Sequence, residues 1–121
     1  MPLGATVSIC TYNGAARIGD VLAALARQTL DRNEWELLVI DNASTDGTAE
    51  VCSSLFEKFA QLHGRVVREE QPGLSFARAS AARAALGEII CFLDDDNIPE
   101  PDFVAAARQA FAERPRAGVI G

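Results

Sequence analysis

Short apolar runs alternate with helical patterns along the whole chain. The predicted strands are Thr6–Thr11, Glu36–Ile40, Arg65–Arg68, Glu88–Leu93 and Ala117–Gly121, and the predicted helices run from Ile18 to about Gln28, through Val51–Leu62, over Leu74–Leu86 and from Pro101 to Pro115. Alternation with short connections predicts an α/β fold, a doubly wound and mainly parallel sheet with helices on both faces. We expect the polar third run at an edge, and the uninterrupted apolar run Glu88–Leu93 as a central strand covered on both faces.

Composition limits the chain to one domain and excludes several partners. Its 121 residues suffice for a single core, so residues 1–121 are interpreted as one domain. A net charge of -6 with Lys58 as the only lysine argues against a nucleic-acid or anionic-membrane surface. No apolar stretch approaches the roughly 20 residues of a membrane helix, and no signal peptide is recognised at the start. We therefore expect no membrane segment in this chain and a cytoplasmic location, or one at the cytoplasmic face of a membrane.

Three cysteines carry a further indication of compartment. Cys10, Cys52 and Cys91 are odd in number, widely spaced and set among apolar neighbours. This pattern favours reduced, buried thiols over a disulfide framework or a zinc site.

Polar clusters follow three of the predicted strands. They are Thr11-Tyr12-Asn13, Asp41-Asn42-Ala43-Ser44 and Asp94-Asp95-Asp96-Asn97. Because the carboxyl ends of parallel strands meet at one edge, where such sheets bind ligands, we expect the clusters to converge there. A dinucleotide glycine motif and a phosphate-loop motif are both missing from the sequence, which disfavours those two nucleotide-binding classes.

The three adjacent carboxylates indicate a cation site. Their mutual repulsion would be relieved by a hard divalent cation. In an extended segment Asp94 and Asp96 share one face and Asp95 points elsewhere. The alternative is a solvated acidic turn that caps the next helix. A metal on Asp94 and Asp96, helped by an arginine such as Arg78 and by N–H groups at helix starts, would hold a diphosphate and stabilise it as a leaving group.

The second cluster has the chemistry to recognise a nucleoside. The carboxylate of Asp41 and the amide of Asn42 have the donor and acceptor types that suit a base edge or ribose hydroxyls.

Four segments, in this order, resemble the amino-terminal half of family 2 glycosyltransferases. They are Val7–Asn13, Leu38–Thr48, Gly73–Arg78 and Gly87–Asp96. The resemblance implies a GT-A fold, which is Rossmann-like, and a nucleotide-diphosphate-sugar donor. It also implies Mn²⁺ or Mg²⁺ at the Asp-x-Asp motif Asp94–Asp96, with Asp96 reaching the metal and Asp95 near the ribose.

The resemblance also assigns donor-binding residues. It places Asp41 and Asn42 at the base, and the turn containing Thr11 and Tyr12 beside the nucleotide. The other residues that we predict to bind the donor are Asn13, Ser44, Arg78, Asp94 and Asp95. Two departures matter: many members have a second acidic residue at position 42, which leaves the base preference open, and Ala79 stands where the family often has asparagine.

The function implied is transfer of a sugar to an acceptor hydroxyl, with inversion, in glycan or polysaccharide synthesis. The acceptor could be a glycan, a lipid carrier or a protein. The family's general base lies in a second half of the protein. We therefore expect this chain to be a donor-binding part, truncated after the fifth strand, with little transferase activity of its own. The sheet end exposed by the truncation could drive self-association.

Two other classes stay open. One is a non-catalytic nucleotide-binding or assembly module. The other is a phosphatase-like hydrolase with an Asp-x-Asp nucleophile, which would need a positioned lysine, whereas Lys58 lies upstream.

Overall fold

The computed structural model describes residues 3–113 as four parallel strands and four α-helices. The elements are β1 (Leu3–Thr11), α1 (Ile18–Leu25), a 3₁₀ turn (Arg32–Glu34), β2 (Trp35–Asn42), α2 (Thr48–Lys58), β3 (Gly64–Glu69), α3 (Leu74–Ala84), β4 (Gly87–Leu93) and α4 (Phe103–Glu113). The strand order is β3-β2-β1-β4, and every neighbouring pair is parallel. The predicted α/β class is confirmed. The predicted strand Ala117–Gly121 and the predicted helix end at Pro115 lie outside the described residues.

Helices cover both faces of the sheet. Alternate β2 residues divide between two cores, because side chains of a strand point alternately to its two faces. Leu37 and Val39 pack with α1, α2 and α4, whereas Leu38 and Ile40 pack against Ala77 and Ala81 of α3. The small alanines of α3 let that helix lie close to the sheet, which brings its amino terminus beside the ends of β1 and β2.

The second strand is longer than its apolar run. We predicted Glu36–Ile40, and the structure continues β2 to Asn42 because Asp41 and Asn42 pair with Arg68 and Glu69 of β3. The ladder thus carries two polar residues that the hydrophobic pattern assigned to a loop. All eight β2 residues are buried, including these two.

The acidic strand does not have the position we predicted. Among residues 3–113, β4 lies at the end of the strand order, beside β1 alone, and β1 and β2 are the central strands. Phe92 of β4 is 45% exposed, and β4 has a single strand neighbour among the described residues. The predicted central position is therefore not found in the described sheet, because an apolar run does not by itself show the order of strands. The predicted edge position of β3 is confirmed.

Two smaller expectations can be checked within these residues. Cys52 is buried, and Cys10 and Cys91 are half-buried, all three as free thiols. Burial raises the pKa of Cys52 to about 11, which keeps it protonated at neutral pH. Within residues 3–113 there is no helix with the length and apolar character to span a membrane.

Candidate functional site

The turns after β1 and β2 are joined at the carboxyl edge of the sheet. The N–H of Asn13 donates to Ser44 Oγ at 2.9 Å, and Asn13 Oδ1 accepts from the N–H of Thr45 at 2.8 Å. The N–H of Gly14 donates to Thr48 Oγ1 at 3.2 Å. Asn13 reaches these partners with a positive φ of 49°, which asparagine tolerates better than most residues. The two predicted clusters therefore form one unit.

Asp41 is a buried anchor of this unit. It is 1% exposed, and its Oδ1 accepts from the N–H of Ser44 at 3.2 Å while its Oδ2 accepts from Arg68 Nη1 at 3.1 Å. Arg68 also donates to the carbonyl of Ser44 at 2.9 Å. Sequence reasoning missed Arg68, whose signal was its place at the end of the third strand, opposite Asp41 in the ladder.

Asn42 is held by main-chain groups of the segment that leads to α3. Its Nδ2 donates to the carbonyls of Glu69 at 3.3 Å and Gln71 at 2.7 Å, and its Oδ1 accepts from the N–H of Gly73 at 2.9 Å. An aspartate could not make the first two bonds, because it has no N–H to donate. The asparagine at this position therefore shapes the segment in front of α3.

A cavity lies between this segment and β1. Its volume is about 330 Å³, which is within the range of small-molecule sites. The lining residues are Cys10, Thr11, Tyr12, Asn42, Pro72, Gly73, Leu74 and Ala77. Gly73 has a φ of 129°, which favours glycine. The wall thus combines an exposed aromatic ring, Tyr12, with small and polar groups.

The acidic triplet leaves the strand as a turn. β4 ends at Leu93, and Asp95 and Asp96 lie in a turn in which the N–H of Asn97 donates to the carbonyl of Asp94 at 3.4 Å. The strand alternation on which we predicted a shared face for Asp94 and Asp96 therefore does not extend to them. In this respect the turn alternative described the backbone better.

Asp95 is the member of the triplet with the most side-chain contacts, whereas Asp94 Oδ2 accepts one long hydrogen bond, from Asn97 Nδ2 at 3.4 Å. Asp95 Oδ2 accepts from Thr11 Oγ1 at 2.7 Å and Arg17 Nη2 at 2.9 Å, and its Oδ1 accepts from Arg17 Nε at 3.3 Å. Burial raises the pKa of Asp95, but the hydrogen bonds from Arg17 and Thr11 and the charge of Arg17 bring that pKa below its ordinary value. Arg17 belongs to no motif that we singled out, and no local signal marked it.

Asp94 and Asp96 remain open to a ligand. Both are exposed, and within residues 3–113 neither takes part in an ion pair. The same residues contain no group of three acidic, cysteine or histidine side chains close enough to enclose a metal ion. Carboxylate oxygens suit Mn²⁺ or Mg²⁺, and Mg²⁺ is commonly held by one or two carboxylates and completed by substrate phosphates. The donor set therefore fits a cation that shares its ligands with a diphosphate.

Arg78 lies on the exposed side of α3. Its guanidinium carbon is 5.3 Å from the centre of the Phe92 ring on β4, a cation–π distance. Phe92 precedes the acidic triplet by two residues, so Arg78 lies near the same edge of the sheet.

The arrangement defines an α/β domain with a candidate ligand site at the carboxyl edge of a parallel sheet, formed by a cavity and an acidic turn. The chain belongs to glycosyl transferase family 2, whose model matches residues 6–121. This finding confirms the family that the four sequence segments indicated.

Individual relatives agree with this membership. The glycosyltransferase YfnE of Bacillus subtilis is 36% identical over 101 residues, which are 84% of this chain and 25% of that protein. The mannosyltransferase PcManGT of Pyrobaculum calidifontis, solved with GDP-Man and Mn²⁺, superposes with a TM-score of 0.84 at 33% identity over 93% of this chain and 34% of that one. Residues 1–349 of Staphylococcus aureus TarS, solved with UDP, superpose with a TM-score of 0.82 at 25% identity over 98% of this chain and 38% of that one. The chain thus spans a quarter to two fifths of the length of the chains it matches here, and only 20% of a longer TarS chain. Its fold is that of the GT-A glycosyltransferases.

Proposed function

We propose that this chain binds the nucleotide diphosphate of a sugar donor at the carboxyl edge of its sheet and supplies the donor side of a metal-dependent, inverting transfer to an acceptor hydroxyl. One observation carries the proposal: Thr11 lines the 330 Å³ cavity and also donates a hydrogen bond to Asp95. A nucleoside in the cavity would thus have its phosphates directed toward the acidic turn.

The cavity is the proposed site of the nucleoside. The exposed ring of Tyr12 offers a stacking surface for a base, and Asp41 and Asn42 lie at the adjoining strand end. Asn42 is proposed to act by fixing the cavity wall, since its amide atoms already bind three main-chain groups. Asp95 Oδ1 accepts one hydrogen bond from the protein and has capacity for a ribose hydroxyl.

The acidic turn is the proposed site of the diphosphate and its cation. Asp94 and Asp96 would hold Mn²⁺ or Mg²⁺, and Arg78 is the proposed additional cation near the phosphates. A bound divalent ion would stabilise the charge that gathers on the departing diphosphate. The protein's own part is to position these groups before the donor arrives, through the bonds from Thr11 and Arg17 to Asp95.

The type of acceptor is proposed from the similarity of this chain to its relatives. TarS is a poly(ribitol-phosphate) β-N-acetylglucosaminyltransferase, and a role of this chain in cytoplasmic glycan or polysaccharide synthesis would agree with that relative.

The phosphatase-like hydrolase is disfavoured, because it would need a lysine at the acidic turn. Lys58 lies at the end of α2, a helix that begins at the ligand edge and runs away from it. The Lys58 ammonium lies 5.5 Å from the centre of the Phe59 ring.

The experiment is a calorimetric titration of the chain with UDP, dTDP and GDP, each with and without Mn²⁺. We expect one nucleotide to bind with Mn²⁺ and to bind at least tenfold more weakly without it. Asp96→Ala should abolish the metal-dependent gain. Glu57→Ala, an exposed carboxylate on α2, is the control for the change in charge and should bind like the wild type. Binding that is equal with and without metal, or unaffected by Asp96→Ala, would contradict the proposal.

A further inference from the structure

The side chain of Arg17 joins the turn after β1 to the acidic turn after β4. Its Nη2 donates to Asp95 Oδ2 at 2.9 Å and to the carbonyl of Tyr12 at 3.3 Å, and its Nε donates to Asp95 Oδ1 at 3.3 Å. The guanidinium thus meets the carboxylate with two parallel N–H groups, the strongest geometry for such a pair. Arg17 is half-exposed, whereas the Asp95 side chain is only 14% exposed.

The turn around this pair is shaped to fit the carboxylate. Thr11 Oγ1 donates to Asp95 Oδ2 at 2.7 Å. A methyl group added to Gly14 would collide with Thr11 Oγ1 and would lie 2.7 Å from Asp95 Oδ2. Position 14 therefore leaves space for the Asp95 carboxylate, and the contact depends on residues from both turns.

The pair changes the charge that a cation would meet. Three aspartate side chains lie at positions 94–96, and the positive charge of Arg17 is paired with one of them, Asp95. The Arg17 guanidinium also interacts electrostatically with the Asp96 carboxylate, so its positive charge would repel a divalent ion held by that carboxylate. A diphosphate would bring negative charge and further oxygen ligands to the same place.

We propose that Arg17 is a positioning residue and internal counter-ion: it holds Asp95 in place and weakens the binding of a free divalent cation, so that the cation binds together with a nucleotide diphosphate. This inference rests on the proposed function. It predicts effects of opposite sign when Arg17 is removed, since the free cation gains affinity while the positioned nucleotide site loses it.

The test measures Mn²⁺ binding alone, by the electron paramagnetic resonance signal of free Mn²⁺, and nucleotide binding in saturating Mn²⁺ by calorimetry. In Arg17→Ala we expect free Mn²⁺ to bind about three- to tenfold more tightly and the nucleotide to bind about tenfold more weakly. Arg17→Lys keeps the charge but loses the paired geometry. It should bind free Mn²⁺ like the wild type and the nucleotide with an intermediate affinity.

Arg27→Ala is the matched control, because Arg27 is exposed in the turn that follows α1 and forms no ion pair with another described residue. It should leave both affinities unchanged, and thermal melting of each variant verifies folding. Free Mn²⁺ affinity that is unchanged or lower in Arg17→Ala would overturn the inference. If the wild type binds no nucleotide with Mn²⁺, the proposed function fails, whereas the free-cation comparison still decides the role of Arg17.

Discussion

The two ends of β2 carry the same pair of residue types and use them differently. At the amino end Glu36 pairs with Arg65 of β3 at 3.1 Å, and at the carboxyl end Asp41 pairs with Arg68 of β3, also at 3.1 Å. Both carboxylates are buried, at 4% and 1% exposure. A buried carboxylate with an arginine partner is therefore no sign of a ligand site by itself.

The surroundings of the two pairs separate their roles. Glu36 also accepts from Thr6 Oγ1 at 2.8 Å and from the N–H of Leu86 at 2.7 Å. Partners from β1, from β3 and from the residue before β4 therefore surround it. Asp41 instead supports a turn in which Ala43 has a positive φ of 59°, next to the open cavity. The carboxyl end of β2 thus has a strained backbone at Ala43 and an open cavity beside it. At the amino end, the Glu36 carboxylate is fully hydrogen-bonded within the protein.

The largest expected effect is on stability at the closed end. Glu36→Ala would leave the Thr6 hydroxyl, the Leu86 N–H and Arg65 without their acceptor, and we expect the free energy of unfolding to fall by about 3 kcal/mol. Chemical denaturation measures this loss. Glu34→Ala is the control, since Glu34 is exposed and, among the described residues, forms an ion pair with Arg108 alone, and it should change stability by less than about 1 kcal/mol.

The same variant separates the two ends functionally. Folded Glu36→Ala protein should bind nucleotide with Mn²⁺ as the wild type does, because no Glu36 contact reaches the cavity. A loss of affinity in a protein that is still folded would show that the two ends are coupled, and the contrast between them would not stand.

A smaller effect on stability, with a large effect on binding, is expected at the open end. Asp41→Asn keeps the shape of the side chain but weakens the contact with Arg68 and presents an N–H group to one of its two donors. We expect a loss of about 1 to 2 kcal/mol in the free energy of unfolding and at least a tenfold loss of nucleotide affinity, measured by denaturation and calorimetry. Wild-type affinity in Asp41→Asn would restrict this end to a structural role.

Some features of the candidate site could be predicted from the sequence, and others could not. The polar clusters could be located at the ends of β1, β2 and β4, because each lies where an apolar run visible in the sequence stops, although Asp41 and Asn42 belong to β2 itself. The contact of Arg17 with Asp95 joins residues 78 positions apart and depends on β1 and β4 being neighbours. No local pattern encodes that neighbour relation, which is why Glu88–Leu93 was predicted as a central strand although it ends the strand order among residues 3–113, and why Arg17 was missed.

The smallest effect we predict is a pH dependence of stability at the closed end. Burial raises the pKa of Glu36, but the Leu86 N–H, Arg65 and Thr6 lower it more, so that the pKa in the folded protein lies below the ordinary glutamate value of 4.5. A group with a lowered pKa stabilises the fold while it is ionised, and that contribution disappears as the pH falls from the unfolded through the folded pKa. The difference in the free energy of unfolding between the wild type and Glu36→Gln should therefore be constant from pH 6 to 8 and should shrink below about pH 4.5. Denaturant titrations across this range measure it, with Glu34→Gln as the exposed control, and a difference that stays constant down to pH 3 would mean that the Glu36 bonds do not favour the ionised form.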